Sequence, residues 1–176
     1  MRRICWIETL QQNGRTKKMV TDITEFHLFG QKLYLSILLD LYSRDIVSYT
    51  ISDRPVLKMV TSMLEKAFHK IPDETNLILH SDQGWHYQHR KYRDMLKGKD
   101  IRQSMSRKGN CLDNAVAENF FGLLKSELLY LKKFESMEQF KTELVAYLEY
   151  YNNRRIKLNL GGLPPAVHRR NALGAA

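Results

Sequence analysis

Three apolar runs crowd the first third of the chain, and the links between them are too short to let the strands run parallel. Lys18 to Ile23 alternates, with Val20 and Asp22 on one side and Met19, Thr21 and Ile23 on the other. Leu33 to Leu39 is almost continuously apolar, as expected of a strand buried on both faces. Ile46 to Ile51 alternates again. The link from His27 to Gln31 contains a glycine, and that from Asp40 to Arg44 is rich in turn formers. A parallel crossover needs about a dozen residues or more, so the spacing predicts an antiparallel meander.

The rest of the chain changes period. Val56, Met59, Val60, Met63, Leu64, Ala67 and Phe68 have helical spacing, and Pro72 stops that run. Leu77-Ile78-Leu79 reads as a short buried strand ending at His80, and Tyr87 to Leu96 as a helix. Ile101 suggests a brief strand, and Gln103 to Leu112 a polar loop. A long helix is predicted from Asn114 to Leu131, with Asp113 as its N-cap, and another from Met137 to Tyr151 behind Ser136. Strands reached through helices should pair in parallel. The expected fold class is therefore α/β, with a mixed five-stranded sheet of three antiparallel strands and then two parallel ones, flanked by helices. Residues 1–17 are expected to be a short basic leader, 18–152 the core, and 153–176 a basic, irregular tail.

With 43% apolar and 27% charged residues over 176 positions, the composition excludes a disordered chain. Lysine and arginine outnumber acidic residues by 28 to 19, a formal charge of +9. That balance points to a polyanionic partner such as nucleic acid, although a basic soluble protein of another kind would share it. Cys5 and Cys111 form no CxxC pair and read as free thiols in a reducing compartment. No apolar run approaches the ~18 residues of a membrane span, and the start lacks a secretory pattern. The expectation is a cytoplasmic protein with no membrane partner.

Three carboxylates stand out. Asp22 lies inside a strand pattern, where aspartate is disfavoured. Asp82 directly follows a buried strand, where polar residues commonly face a site. It also precedes Gly84 and could simply close a turn. Glu118 falls on the predicted long helix, away from the stripe of Phe120, Leu123, Leu124 and Leu131. At about 100° per residue, Lys125 lies within about 20° of it, with Asn114 on the same side. A solvated helix face would look alike. If gathered, three carboxylates repel one another unless a cation compensates, and hard divalent ions favour oxygen donors. Ahead of this helix, Ser104-Met105-Ser106-Arg107-Lys108-Gly109-Asn110 has the hydroxyls and cations to follow a phosphate backbone, or to be a plain surface loop.

Thr21-Asp22-Ile23-Thr24, His80-Ser81-Asp82-Gln83-Gly84, the Ser104 to Asn110 loop, Asp113-Asn114-Ala115-Val116-Ala117-Glu118, Leu124-Lys125-Ser126-Glu127 and Tyr151-Asn152-Asn153-Arg154-Arg155 occur in this order. Together they resemble the integrase-type catalytic core of bacterial insertion-sequence transposases, the product of a second, frameshifted reading frame. The resemblance runs from about Lys18 to Pro165. It implies a ribonuclease-H-like fold and a DDE triad on Asp22, Asp82 and Glu118 that binds two magnesium ions, with manganese able to substitute. The family's basic residue after the glutamate falls on Lys125. The implied reaction is cleavage and strand transfer of DNA, first by water and then by a DNA 3′-hydroxyl, without a covalent enzyme intermediate. The implied partners are insertion-sequence ends, target DNA and further copies of the chain, in the nucleoid of a bacterial cytosol.

Lys125, Arg107, Lys108 and Asn114 are the expected DNA contacts, with Arg154, Arg155 and Lys157 either joining them or forming a solvated tail. His80 is read as a strand-end residue beside the site and Asp40 as a turn residue. Full-length relatives carry helix-turn-helix segments ahead of the core and a tryptophan where this chain has Met19. The expectation is thus an N-terminally truncated core. Two other functions stay open: a catalytically silent DNA-binding or regulatory fragment, and a nuclease acting on RNA–DNA hybrids.

Overall fold

The computed structural model describes residues 18–73, 76–106 and 115–174. Strands β1 (Lys18–Leu28), β2 (Gln31–Asp40) and β3 (Ile46–Ser52) form the expected antiparallel meander. β1 runs five residues past its alternating segment because it pairs with β2 as far as Leu28 opposite Gln31. Phe29 and Gly30 alone close the hairpin, at φ 54° and 67°. Two successive positive φ values match the twist of the flanking strands.

Helix α1 (Leu57–Phe68) leads to β4 (Ile78–Ser81). Then come α2 (Trp85–Gln88), α3 (Arg90–Gly98) and β5 (Arg102–Met105). The predicted single helix from Tyr87 is split at His89, whose extended backbone caps α3 through its ring nitrogen on the Lys91 amide. β5 takes in Gln103, Ser104 and Met105, which sequence polarity assigns to a loop. Parallel pairing with β4 recruits them. The sheet order is β3-β2-β1-β4-β5, with β4 parallel to both its neighbours.

Helix α4 (Ala115–Leu124) passes into a π turn at Lys125–Leu129, and α5 (Met137–Asn153) follows. The segment expected to be an irregular tail contains a 3-10 turn at Leu158–Leu160 and helix α6 (Pro165–Gly174). Proline at the first helical position and a buried ion pair account for α6: Arg169 reaches Asp40 at 3.4 Å and Asp45 at 3.8 Å. Asp40 is fully buried and closes the β2–β3 turn by accepting from the Tyr42 amide and the Ser43 hydroxyl. The leader, residues 1–17, lies outside the described residues.

The sheet has a helical layer on each face. Val20 and Phe26 of β1, with Leu33, Leu35, Ile37 and Leu39 of β2, pack against Phe120, Phe121 and Leu124 of α4 and Phe140, Leu144 and Leu148 of α5. Met19, Leu38 and Val47 pack on the other side against α1 and α3. Each fully buried side chain of this kind contributes about 2 kcal/mol. Hydroxyls tie α1 down, with Ser36 donating to the Met63 sulfur and Ser48 to the Met63 carbonyl.

On β3, the Asn152 side chain accepts from the Ile46 N–H and donates to the Ile46 carbonyl, both at 2.9 Å. Lys70 and Lys66 donate to the Val47 and Tyr49 carbonyls of the same strand. Asn152→Ala should therefore destabilise the fold by about 1–3 kcal/mol, since it leaves a partly buried backbone pair unbonded. Urea unfolding would measure this, and an unchanged midpoint would refute it.

Candidate active site

The parallel pairing of β1 with β4 sets Lys18, Met19 and Val20 beside Ile78, Leu79 and His80. Asp22 and Asp82 each follow the last paired position, Val20 with His80, by two residues, and Asp82 stands one residue beyond the end of β4. One aspartate thus lies where β1 continues and the other where the adjacent β4 has just stopped. Asp22 is opposite Ile37 on β2 and in phase with Val20 and Phe26, so it projects toward the α4 layer.

Local hydrogen bonds orient both carboxylates. Asp22 Oδ1 accepts from the Ile23 amide at 2.8 Å, and Asp82 Oδ1 from the Gly84 amide at 2.9 Å. Gly84 has no room for a side chain, because a Cβ would stand 2.9 Å from Asp82 Oδ1 and 3.3 Å from the Tyr87 ring. Tyr87 is buried behind the pair, and its hydroxyl has no hydrogen-bond partner of good geometry. Burial, then the Asp22 charge, pushes that hydroxyl well above the usual phenol range, and Asp82 adds to the effect.

The turn carrying Asp82 is pinned from β5. His80 bridges the Ser104 and Ser106 hydroxyls through its two ring nitrogens, at 3.1 and 3.0 Å. Gln83 donates to the Ser106 carbonyl, and Gln103 to that of Tyr87. His80 is accordingly a strand-end residue that holds β4 to β5. Sequence reasoning attaches no role to Gln83, Ser104 or Ser106 in this turn. Their signal becomes visible only once β5 is known to be a strand.

Glu118 sits in the first turn of α4, exposed, between the buried Ala117 and Phe120. α4 itself rests on β1. Lys125 is half-buried, its ammonium 6.0 Å from the centre of the ring of Phe26, which follows Asp22 on β1 after Ile23, Thr24 and Glu25. Among the described residues, no three His, Cys, Asp or Glu side chains stand close enough together to hold a metal ion. The structure sets Asp22 on β1 and Asp82 just past the end of the adjacent β4, and leaves Glu118 on the neighbouring helix. In donor chemistry the set fits a hard divalent cation, with two carboxylates already oriented by the Ile23 and Gly84 amides. Without a cation, mutual repulsion opposes a third carboxylate joining them.

Of the expected DNA contacts, Arg107, Lys108 and Asn114 lie outside the described residues. Arg154 is exposed at the end of α5. Arg155 instead turns inward. Its guanidinium forks onto Glu127, with Nε 3.1 and 3.0 Å from the two carboxylate oxygens and Nη2 2.5 Å from Oε1. Tyr147 donates to the same carboxylate at 2.7 Å. Lys157 lies over the Tyr151 ring at 4.8 Å. Burial, then the nearby Arg155 and Arg44 charges, lowers Lys157 to a pKa of about 8. Glu127 was legible in part: α-helical phase puts it within about 20° of the buried Phe120, an odd place for a carboxylate without a partner.

The integrase core domain family matches residues 12–111, and a second profile of the same description matches 118–173. A protein of Escherichia coli named "Putative transposase InsK for insertion sequence element IS150" is 53% identical over 87% of this chain and 54% of its own length. Transposase InsF for insertion sequence IS3A, also of Escherichia coli, is 34% identical over the same shares of both chains. The chain spans about half the length of these relatives. The HTLV-2 integrase catalytic core domain, solved in complex with magnesium in a trimeric form, superposes with a TM-score of 0.66. That match has 15% identity and covers 88% of this chain and 97% of the other. The fold is ribonuclease-H-like, as the motifs imply.

The Arg155 fork holds the Glu127 carboxyl below its usual range, against the opposing effect of burial, and the Tyr147 hydroxyl lowers it further. A depressed carboxyl contributes stability that is present above its unfolded value of about 4.3 and lost as pH falls through the folded value. Glu127→Gln should remove that part of the acid-side decline below about pH 4. Melting temperatures against pH would show it, and parallel declines in both proteins would exclude it.

Proposed function

We propose that this chain, which belongs to the integrase core domain family, is the phosphoryl-transfer core of an insertion-sequence transposase, cutting DNA ends and joining them to target DNA. The observation that carries this reading is the parallel pairing of Val20 with His80, each two residues ahead of one of the two aspartates. Asp22, Asp82 and Glu118 would hold two magnesium ions, or manganese in their place. Bound there, the ions supply Lewis-acid charge at the phosphate and lower the pKa of the attacking oxygen.

The protein's own groups have the remaining tasks. The Gly84 amide and the Ile23 amide hold the two aspartates oriented before any ion binds, so little reorganisation is needed on binding. Lys125 and Arg154, with Arg107, Lys108 and Asn114, would bind DNA phosphates, in keeping with the +9 charge. Arg155 is engaged by Glu127 and is left out of that set. Water is the nucleophile for donor cleavage and a DNA 3′-hydroxyl for joining. The cytoplasm, and assembly of several copies on DNA, follow from that activity as part of the same proposal.

Magnesium-dependent cleavage and joining of an insertion-sequence end should fall at least about 100-fold in Asp82→Asn, reflecting several kcal/mol of lost transition-state stabilisation. Undiminished activity in that variant would overturn the assignment. DNA binding that survives Asp82→Asn, with no cleavage by the parent chain under any metal, would identify the silent regulatory fragment instead. Hydrolysis of an RNA–DNA hybrid without joining would identify the nuclease.

Ion binding can also be read through stability. At about 100 times its dissociation constant, magnesium should add roughly 3 kcal/mol, or about 5–10 °C in Tm. The triple variant Asp22→Asn, Asp82→Asn, Glu118→Gln should lose this gain, and an equal shift in both proteins would place the ions elsewhere.

A further inference from the structure

Glu127 has no task in the phosphoryl-transfer reading, yet it gathers the strongest polar contacts on the α4 side of the sheet. We propose that Glu127, Arg155 and Tyr147 form a lock that fixes the rotation of α4, making them positioning residues for Glu118 and Lys125. The proposal rests on the assignment of Glu118 to the metal site.

Helix α4 needs such a device. It has ten residues, and Glu118, Asn119 and Gly122 are exposed along one side. Its inward contacts are Ala117, Phe120, Phe121 and Leu124. Apolar burial holds a helix down but is non-directional, so these contacts set its depth better than its azimuth. A small rotation about the axis would sweep the Glu118 carboxylate sideways, and a misplacement of about 1 Å can cost about 100-fold in rate.

The lock acts directionally. Tyr130 N–H bonds the Lys125 carbonyl at 2.9 Å in the i to i+5 pattern of the π turn. Such turns recur at functional sites. Within this turn the Glu127 carboxylate meets Tyr147 of α5 and Arg155 just beyond its end, whose guanidinium bonds both oxygens. By α-helical phase Glu127 lies opposite Glu118 on the helix, so it restrains rotation from the far flank. α5 is itself fixed to the sheet through Asn152 on Ile46. A continuous path of directional bonds thus runs from β3 through α5 to the helix that bears Glu118.

The experiment measures manganese affinity by calorimetry, and metal-free duplex DNA binding, for the chain and four variants. Asp82→Asn tests the underlying site. Glu127→Gln and Arg155→Lys remove the charged fork with little change of volume. Tyr147→Phe removes one hydrogen bond and serves should either of those fail to fold. The expected result is loss of manganese binding in Asp82→Asn. Glu127→Gln and Arg155→Lys should weaken it about 10-fold, in the range typical of residues that orient metal ligands, with DNA affinity unchanged.

Manganese binding unaffected by Asp82→Asn would remove the metal-site reading and the lock with it. Binding lost in Asp82→Asn but intact in Glu127→Gln, Arg155→Lys and Tyr147→Phe would overturn the lock alone. Weakened DNA binding in Arg155→Lys with manganese affinity intact would make Arg155 a phosphate contact and also overturn it.

Discussion

The parallel ladder between β1 and β4 is the constraint on which the site depends. It is short, with three paired positions, yet it decides where β4 stops relative to β1. A slip of one residue would turn every side chain of β4 to the other face and misplace the turn that carries Asp82. The register is protected by what flanks it. Met19 and Leu79 are buried in the core on the α1 side, and Val20 in that on the α4 side. Apolar packing on both faces of a strand therefore fixes the relative position of two charged groups that contribute nothing to the core.

Much of this was legible beforehand. The meander was readable because Leu33 to Leu39 and the alternating runs around it leave no other use for such short links. Asp22 stood out because aspartate is disfavoured inside a strand, whereas Asp82 also suited an ordinary turn before Gly84. What the sequence hid is what depends on pairing across distance. Ser104 and Ser106 look like loop residues until β4 lies beside them and His80 reaches both hydroxyls. Arg155 looks like one cation in a basic run until Glu127, 28 residues away, faces it. The same holds for α6, where Arg169 is unremarkable in sequence and buried against Asp40 in the fold.

In the proposed site, strands and a helix have different parts. Of the three acids, Asp22 is held within β1 and Asp82 in the turn that follows β4, and the sheet sets the spacing of those two strands. The third rides on a helix, whose placement depends on side-chain contacts. A cation is the natural partner for that last element, since it converts three repelling charges into a favourable cluster. Arrangements of this type couple binding of the ion to completion of the site.

The side chains that line β3 bear on a different matter. β3 is an outer strand of the sheet, and an outer strand offers its unpaired backbone to any passing chain. Here the Asn152 amide imitates a neighbouring peptide at Ile46, while Lys66 and Lys70 occupy the Tyr49 and Val47 carbonyls. The opposite margin, β5, has only four residues. Sheet extension from one copy to the next is thereby discouraged at both margins.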